Sequence, residues 1–195
     1  MEIAKGITAD DFNKLNLTNH NNLDWQTAFK YLDSRLTERY IDPVEVLITS
    51  EKDISASQKR FGFTIMVIDC LLVETIQSFY EGVTNSHGKS QQLFKNFLTQ
   101  RENFKDFFKT QAEAGDFYIN FRCGILHQAQ TFGDTKIWTV GQLIMKQGKY
   151  VIVNRDLFHE AVKNEKKLYL DLLSKQDNIL LLDNFKTKMD FIASS

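Results

Sequence analysis

Proline, glycine and cysteine are all scarce in this chain of 195 residues. There is one proline, Pro43, and there are nine glycines, so the two types together make up about 5% of the chain where about 12% is usual. This scarcity excludes collagen-like and Pro-rich sequences, and it argues against an all-β fold, whose many tight turns need these residues. The two cysteines are too few for a disulfide scaffold and favour a reducing compartment.

The chain also lacks an excess of charge of one sign and has no long apolar run. The 24 basic and 25 acidic residues leave a net charge of −1, so the chain lacks the overall basic charge of proteins that bind nucleic acid non-specifically. The longest apolar run, from residue 64 to 73, contains Asp69 and is far shorter than the about 18 residues that a membrane span needs. No apolar targeting segment follows Met1. We expect a soluble, cytoplasmic protein with no membrane partner, in which any contact with RNA is local.

Apolar residues recur at helical spacing through most of the chain and predict a mainly α-helical protein. Six helices are predicted, over about residues 24–40, 55–81, 90 onwards, 112–130, 155–174 and 177–192. The third starts near Ser90, and its apolar pattern continues to Phe108 after or through a break. The second is apolar nearly all round over 61–73 and should be the central, enclosed helix. Pro43 should end the first helix. Ser55, three residues before Gln58, should cap the second helix, and Gly82 should stop it.

The pattern changes between the fourth and fifth predicted helices. Residues 135–140 and 143–153 are rich in β-branched and aromatic side chains, with Gln147 and Gly148 as a turn, which predicts a β-hairpin with room for a third short strand. We therefore predict a helical bundle in a single domain, 1–195. Its parts are a helical core (24–131), a small β-hairpin inserted before the C-terminal helices (132–154), and those helices (155–195).

The helix predicted over 112–130 carries an arginine and a histidine separated by four residues, Arg122 and His127. Arg122 falls in the apolar stripe of that helix, so it needs a buried acidic partner or a bound anion. The candidates are Asp69 and Glu74 on the central helix. Five residue steps turn an α-helix by about 140° beyond one full turn, which takes His127 off the stripe. We expect His127 to face a cleft or a second subunit.

This Arg-x4-His motif, late in a helical bundle, resembles that of the HEPN family (higher eukaryotes and prokaryotes nucleotide-binding), over about residues 24–131. The resemblance implies a homodimer in which the two motifs meet at the interface. It also implies a metal-independent endoribonuclease of toxin or phage-defence systems, with Arg122 and His127 as catalytic residues. Asp69, Glu74 and Cys123 would be supporting residues that orient them. The position of Cys123 is usually polar in the family, often Asn.

The implied reaction needs no metal or cofactor, because the 2′-hydroxyl of RNA is itself the nucleophile that attacks the adjacent phosphate. A histidine takes or gives a proton near neutral pH, which is worth about 10²–10⁴ in rate. The guanidinium of Arg122 would stabilise the negative charge that develops on the phosphate oxygens. No histidine pair has metal-binding spacing and no glycine-rich phosphate loop is present, so we expect neither metal nor cofactor.

Alternatives remain open for each of these residues. Some family members are inactive binding or scaffold modules, so this chain could pair with an antitoxin, a nucleotidyltransferase or another defence protein. In a helical protein of unrelated function, Arg122 would only fix the packing of two helices. His127 would then be an ordinary histidine near a helix C-terminus, where the helix dipole favours it, and Cys123 would be a packing residue.

Overall fold

The computed structural model describes residues 1–20 and 22–195, and within them it is mainly α-helical, as the sequence predicts. This part of the chain also has two small sheets, of which the sequence predicts only the second. The α-helices of this part of the chain are α1 (Ala9–Asn13), α2 (Asp24–Leu36), α3 (Asp42–Ser50), α4 (Gly62–Tyr80), α5 (Ser90–Gln100), α6 (Gln111–Phe117), α7 (Gly124–Gln128), α8 (Arg155–Ser174) and α9 (Ile179–Ser194). The strands are β1 (Glu2–Ala4), β2 (Ile7–Thr8), β3 (Thr135–Trp138), β4 (Ile144–Gln147) and β5 (Tyr150–Asn154).

Helix α4 is the central helix, as its apolar sequence predicts, and it contacts α5, α8 and α9. Its side chains are buried on most sides, including Ile65, Leu72 and Phe79. Helix α4 is long and apolar enough to cross a membrane, but 61% of its apolar stretch is buried inside the fold. Such burial is typical of the core helix of a soluble protein.

The predicted start of α4 at Ser55 is wrong. The Ser55 hydroxyl donates to the side chain of Gln58 at 2.8 Å and caps no backbone amide, and a short 3₁₀ turn, Ala56–Gln58, comes before the helix. The predicted stop at Gly82 is confirmed. Gly82 has a φ of +64°, and a Cβ there would lie 2.6 Å from Oδ1 of Asn184, so a residue with a side chain would be strained twice over.

Pro43 does not end the first long helix, contrary to the prediction. A π-helical segment, Thr37–Ile41, joins α2 to α3, and Pro43 lies in the first turn of α3. Proline is tolerated there because the N–H groups of the first helical turn have no acceptor within the helix, so the missing N–H removes no hydrogen bond. The chain therefore remains helical from Asp24 to Ser50.

The predicted hairpin is confirmed as β4 and β5, and β3 adds a third strand. Strand β5 lies in the middle, antiparallel to β4 with Ile144 opposite Val153, and parallel to β3 with Thr135 opposite Val151. Asn154, at the end of β5, caps α8 by accepting two N–H groups of its first turn. The sheet is thereby fixed at the start of α8 and beside the start of α4.

One continuous hydrophobic core joins the helices and this sheet. The ring of Phe117 stacks on Phe121 at a centroid distance of 4.4 Å and lies 6.2 Å from Phe158 of α8. Val153 of the sheet and Phe185 of α9 belong to the same core. The segment around Arg122 is therefore anchored on its inner side by packed aromatic rings.

Candidate active site

Arg122 lies in a π-helical segment, Tyr118–Cys123, which joins α6 to α7. The continuous helix predicted over 112–130 is thus interrupted by a wider turn. π-helical turns are rare and are frequent at functional sites. Phe121, which is fully buried, holds the inner side of the segment against the core, and the neighbouring Arg122 side chain lies against α4.

The Arg122 guanidinium makes a bidentate contact with the carboxylate of Glu74 on α4. Its Nε donates to Oε1 at 2.6 Å and its Nη2 donates to Oε2 at 3.3 Å. The two side chains are 14% and 8% exposed. Burial by itself lowers the pKa of Arg122, but the bond to Glu74 outweighs it and raises that pKa overall, so Arg122 is charged. Three of its five N–H groups have no acceptor among the residues that the structure describes.

Tyr118 and Cys123 complete the surroundings of the guanidinium. The Cζ of Arg122 lies 5.3 Å from the centroid of the Tyr118 ring, within cation–π distance. Burial raises the pKa of Tyr118 to about 12, with Arg122 lowering it and Cys123 raising it. Cys123 is a half-buried free thiol that packs against the hydrophobic core. Its surroundings fit the packing alternative better than a role in orienting His127.

His127 lies in the short helix α7 and is exposed. This helix ends at Ala129, which has a φ of +53°, and the chain then folds back over Gly124. A Cβ at Gly124 would lie 2.6 Å from the backbone oxygen of Gln130, so the glycine is required for this close turn. Within the described part of the chain, no residue hydrogen-bonds the imidazole. In a single chain, therefore, Arg122 faces α4 and His127 faces solvent.

Asp69 does not contact Arg122, which corrects the expectation that it could be the partner of the guanidinium. Its Oδ1 lies 2.8 Å from Nδ1 of His159 on α8, and both side chains are fully buried. Burial raises the pKa of Asp69, and the bond to His159 opposes this rise. Asp69 therefore ties α4 to α8 and takes no part in the site around Arg122. The sequence reasoning missed His159, although Asp69 signalled that a buried partner was needed.

A second buried ion pair also escaped the sequence reasoning. Arg155, at the start of α8, donates from Nη2 to Glu51, and both side chains are nearly inaccessible. The same carboxylate accepts the backbone N–H groups of Arg60 and Phe61. Burial raises the pKa of Glu51, but these hydrogen bonds together lower it below its usual value. The pair ties the segment before α4 to α8, and nothing in the local sequence connects residues so far apart.

In residues 1–20 and 22–195 no group of three His, Cys, Asp or Glu side chains is placed to hold a metal ion. Comparison of the chain with models of known families, with curated proteins and with solved structures finds no match. The function of the site is therefore inferred from its own residues and from the motif.

Proposed function

We propose that the protein is a metal-independent endoribonuclease with a HEPN-like site made by Arg122 and His127. The observation that carries the proposal is the arrangement of Arg122. Glu74 fixes its guanidinium in a partly accessible position with three N–H groups to spare, and the same helical segment then presents an exposed imidazole. A fixed guanidinium and a free imidazole are the two groups that RNA cleavage by the 2′-hydroxyl requires.

In this proposal the 2′-oxygen of a ribose attacks the adjacent phosphorus, and the bond to the 5′-oxygen of the next nucleotide breaks. The imidazole of a histidine removes the 2′-hydroxyl proton, and a histidine imidazolium protonates the leaving 5′-oxygen, so one proton is taken up and one is given back. Arg122 stabilises the extra negative charge on the phosphate oxygens through its unused N–H groups. The products are a 2′,3′-cyclic phosphate and a 5′-hydroxyl, and no group outside the protein and the RNA is consumed.

The different directions of the two side chains favour a site completed by a second copy of the chain. Next to the site, Ile119 is 48% exposed one turn before Arg122, and Leu71 is 36% exposed one turn before Glu74. An exposed apolar patch rimmed by polar residues is typical of an interface, and these two side chains would contribute to one. We propose a cytoplasmic homodimer that pairs through this face, and the two free cysteines support the reducing compartment.

A catalytically inactive scaffold module is the second candidate, and one observation favours it. Glu74 already neutralises the charge of Arg122 in the manner of a structural ion pair, as in proteins where such pairs only fix packing. In that case the exposed apolar face would bind a protein partner such as an antitoxin or a nucleotidyltransferase, and RNA would remain intact.

Incubation of the purified protein with total RNA in EDTA tests the proposal. We expect cleavage by the wild type and at least about a 10²-fold loss in His127→Ala, because general acid–base catalysis contributes about that much or more. His87→Ala is the matched control, since His87 is also an exposed histidine and lies outside the Arg-x4-His motif. Two results would overturn the nuclease proposal: intact RNA with a folded wild-type protein, or equal RNA cleavage by the wild type and His127→Ala. Intact RNA would favour the scaffold proposal.

A further inference from the structure

A cavity of about 470 Å³ lies at the start of α4, away from the site around Arg122. Its walls come from the segment 56–63, from the end of β3 with the residues that follow it, and from Arg155 of α8. Along α4, Gly62 and Glu74 are separated by about 18 Å. The cavity is thus a separate feature, and its lining combines cationic with aromatic side chains.

Three cationic side chains line this cavity, and two of them, Lys59 and Arg155, have acidic neighbours. Lys59 has its Nζ 3.7 Å from Asp156, but the exposed guanidinium of Arg60 has no acidic partner in the described part of the chain. Arg155 is only 1% exposed; its Nη2 binds Glu51 and its Nε lies 3.2 Å from Asp156. Its Nη1 has no acceptor among the described residues, so a buried arginine is left with one nitrogen unused.

Gly62 keeps that nitrogen uncovered. A Cβ at position 62 would lie 3.7 Å from Nη1 of Arg155 and 3.1 Å from Cγ2 of Ile137. A side chain at position 62 would therefore lie against Nη1 of Arg155, which is one of the residues that line the cavity. Gly62 is also the first residue of α4, and no side chain caps this helix of 19 residues. Its first amides and its dipole add to the attraction for an anion.

Two large aromatic side chains complete the cavity. Trp138 is 38% exposed and Phe63 is 42% exposed, and both belong to the lining. Exposed aromatic faces beside cations are the usual platform for a nucleic-acid base next to its phosphate. An inorganic anion would make no stacking contact with the rings, and an apolar ligand would make no ion pair with Arg60 or Arg155.

We propose that this cavity binds a nucleotide, with the phosphate held by Arg60, Nη1 of Arg155 and the start of α4, and with the base stacked on Trp138 or Phe63. A free nucleotide and a nucleotide unit of single-stranded RNA present the same chemistry to the cavity. The inference stands whether or not Arg122 and His127 cleave RNA.

Tryptophan fluorescence gives a direct test, because the chain has two tryptophans and the other, Trp25, is fully buried. The probes are adenosine monophosphate, a short single-stranded RNA and inorganic phosphate, added to the His127→Ala protein so that RNA stays intact. We expect the nucleotide or the RNA to quench Trp138, and phosphate alone to bind at least about tenfold more weakly, because it lacks the stacking contact.

Arg60→Glu should raise the Kd at least about tenfold, as expected for loss of a charge-assisted contact. The matched control is Lys52→Glu, which makes the same charge change on an exposed residue that also lies between α3 and α4 but outside the cavity lining. Trp138→Ala should weaken binding by a similar factor. Binding to this variant is measured by calorimetry, because the substitution removes the fluorescent side chain. Melting temperatures near that of the wild type will show that the variants fold.

The outcomes separate the two sources of the nucleotide. Equal affinity for the free nucleotide and the RNA assigns the cavity to a free nucleotide, whereas at least about tenfold tighter RNA binding assigns it to a strand. The proposal is overturned if neither ligand binds, if Arg60→Glu behaves like Lys52→Glu, or if inorganic phosphate binds as tightly as the nucleotide. Loss of RNA cleavage in His127→Ala has no bearing on these results.

Discussion

Replacing Glu74 by Gln should destabilise the protein by about 2–3 kcal/mol, because it removes the charge that compensates Arg122 while keeping the shape of the side chain. Breaking a fully buried ion pair costs about 3–5 kcal/mol. The 14% exposure of Arg122 lets water reach part of the guanidinium, which reduces the penalty. The Gln amide would also oppose Nη2 of Arg122 with a second donor, where Oε2 now accepts at 3.3 Å.

The assay is urea unfolding followed by circular dichroism, supported by thermal melting. For a chain of this size the expected loss corresponds to a decrease in Tm of about 4–12 °C. The double variant Glu74→Met with Arg122→Met should be less destabilised than Glu74→Gln, because it leaves no unpaired charge.

The control is Asp106→Asn, which breaks the exposed pair of Asp106 with Lys109 and should cause no measurable change. If Glu74→Gln were as harmless as Asp106→Asn, or if the double variant were the least stable, then Glu74 would not hold Arg122 as described.

Three further predictions concern other parts of the molecule. His159→Leu should lower the free energy of unfolding by about 3–5 kcal/mol, because it leaves the buried Asp69 without its partner. Additive effects in a double-mutant cycle of His159 and Asp69 would contradict this. Ala129→Gly should stabilise the protein by about 0.5–1 kcal/mol in urea unfolding, because glycine relieves the φ of +53°; a loss of stability would contradict this. NMR titration should give Asp11 a pKa of about 2, since hydrogen bonds from Thr8 and then Lys14 stabilise the carboxylate, and Thr8→Val should return it towards its usual value of 3.8. Because this pKa is lowered on folding, the contribution of Asp11 to stability is present above about pH 4 and is lost as the pH falls towards 2.

The long helices could be predicted from the sequence because their apolar faces repeat over many turns, as in α4 and α8. The π-helical segments could not. Their cost is repaid by tertiary contacts, such as the pair of Arg122 with Glu74, which no local pattern reveals. Pro43 shows the same limit, since whether a proline ends a helix or lies in the first turn of the next depends on how the chain packs there. The short elements β1, β2 and α1 have too few residues to show a period.

The sequence identified two acidic candidates for Arg122 but could not choose between them. Asp69 and Glu74 are five residues apart, so their side chains point about 140° apart around α4. One therefore faces α8 and the other faces the π-helical segment. Which neighbour lies on which side is a property of the whole bundle. The cavity at Gly62 was hidden for the same reason, because Arg60, Trp138 and Arg155 come together only in the fold.

Cleavage of matched oligonucleotides tests the central claim most directly. One RNA oligonucleotide carries ribose throughout, and its twin carries 2′-deoxyribose at the nucleotides where the first is cut. In EDTA we predict that the wild-type protein cuts the first and leaves a 2′,3′-cyclic phosphate, that the twin stays intact at those positions, and that His127→Ala cuts neither. Cleavage of the twin at the same positions, or an intact first oligonucleotide, would contradict the account of Arg122 and His127 as a ribonuclease site.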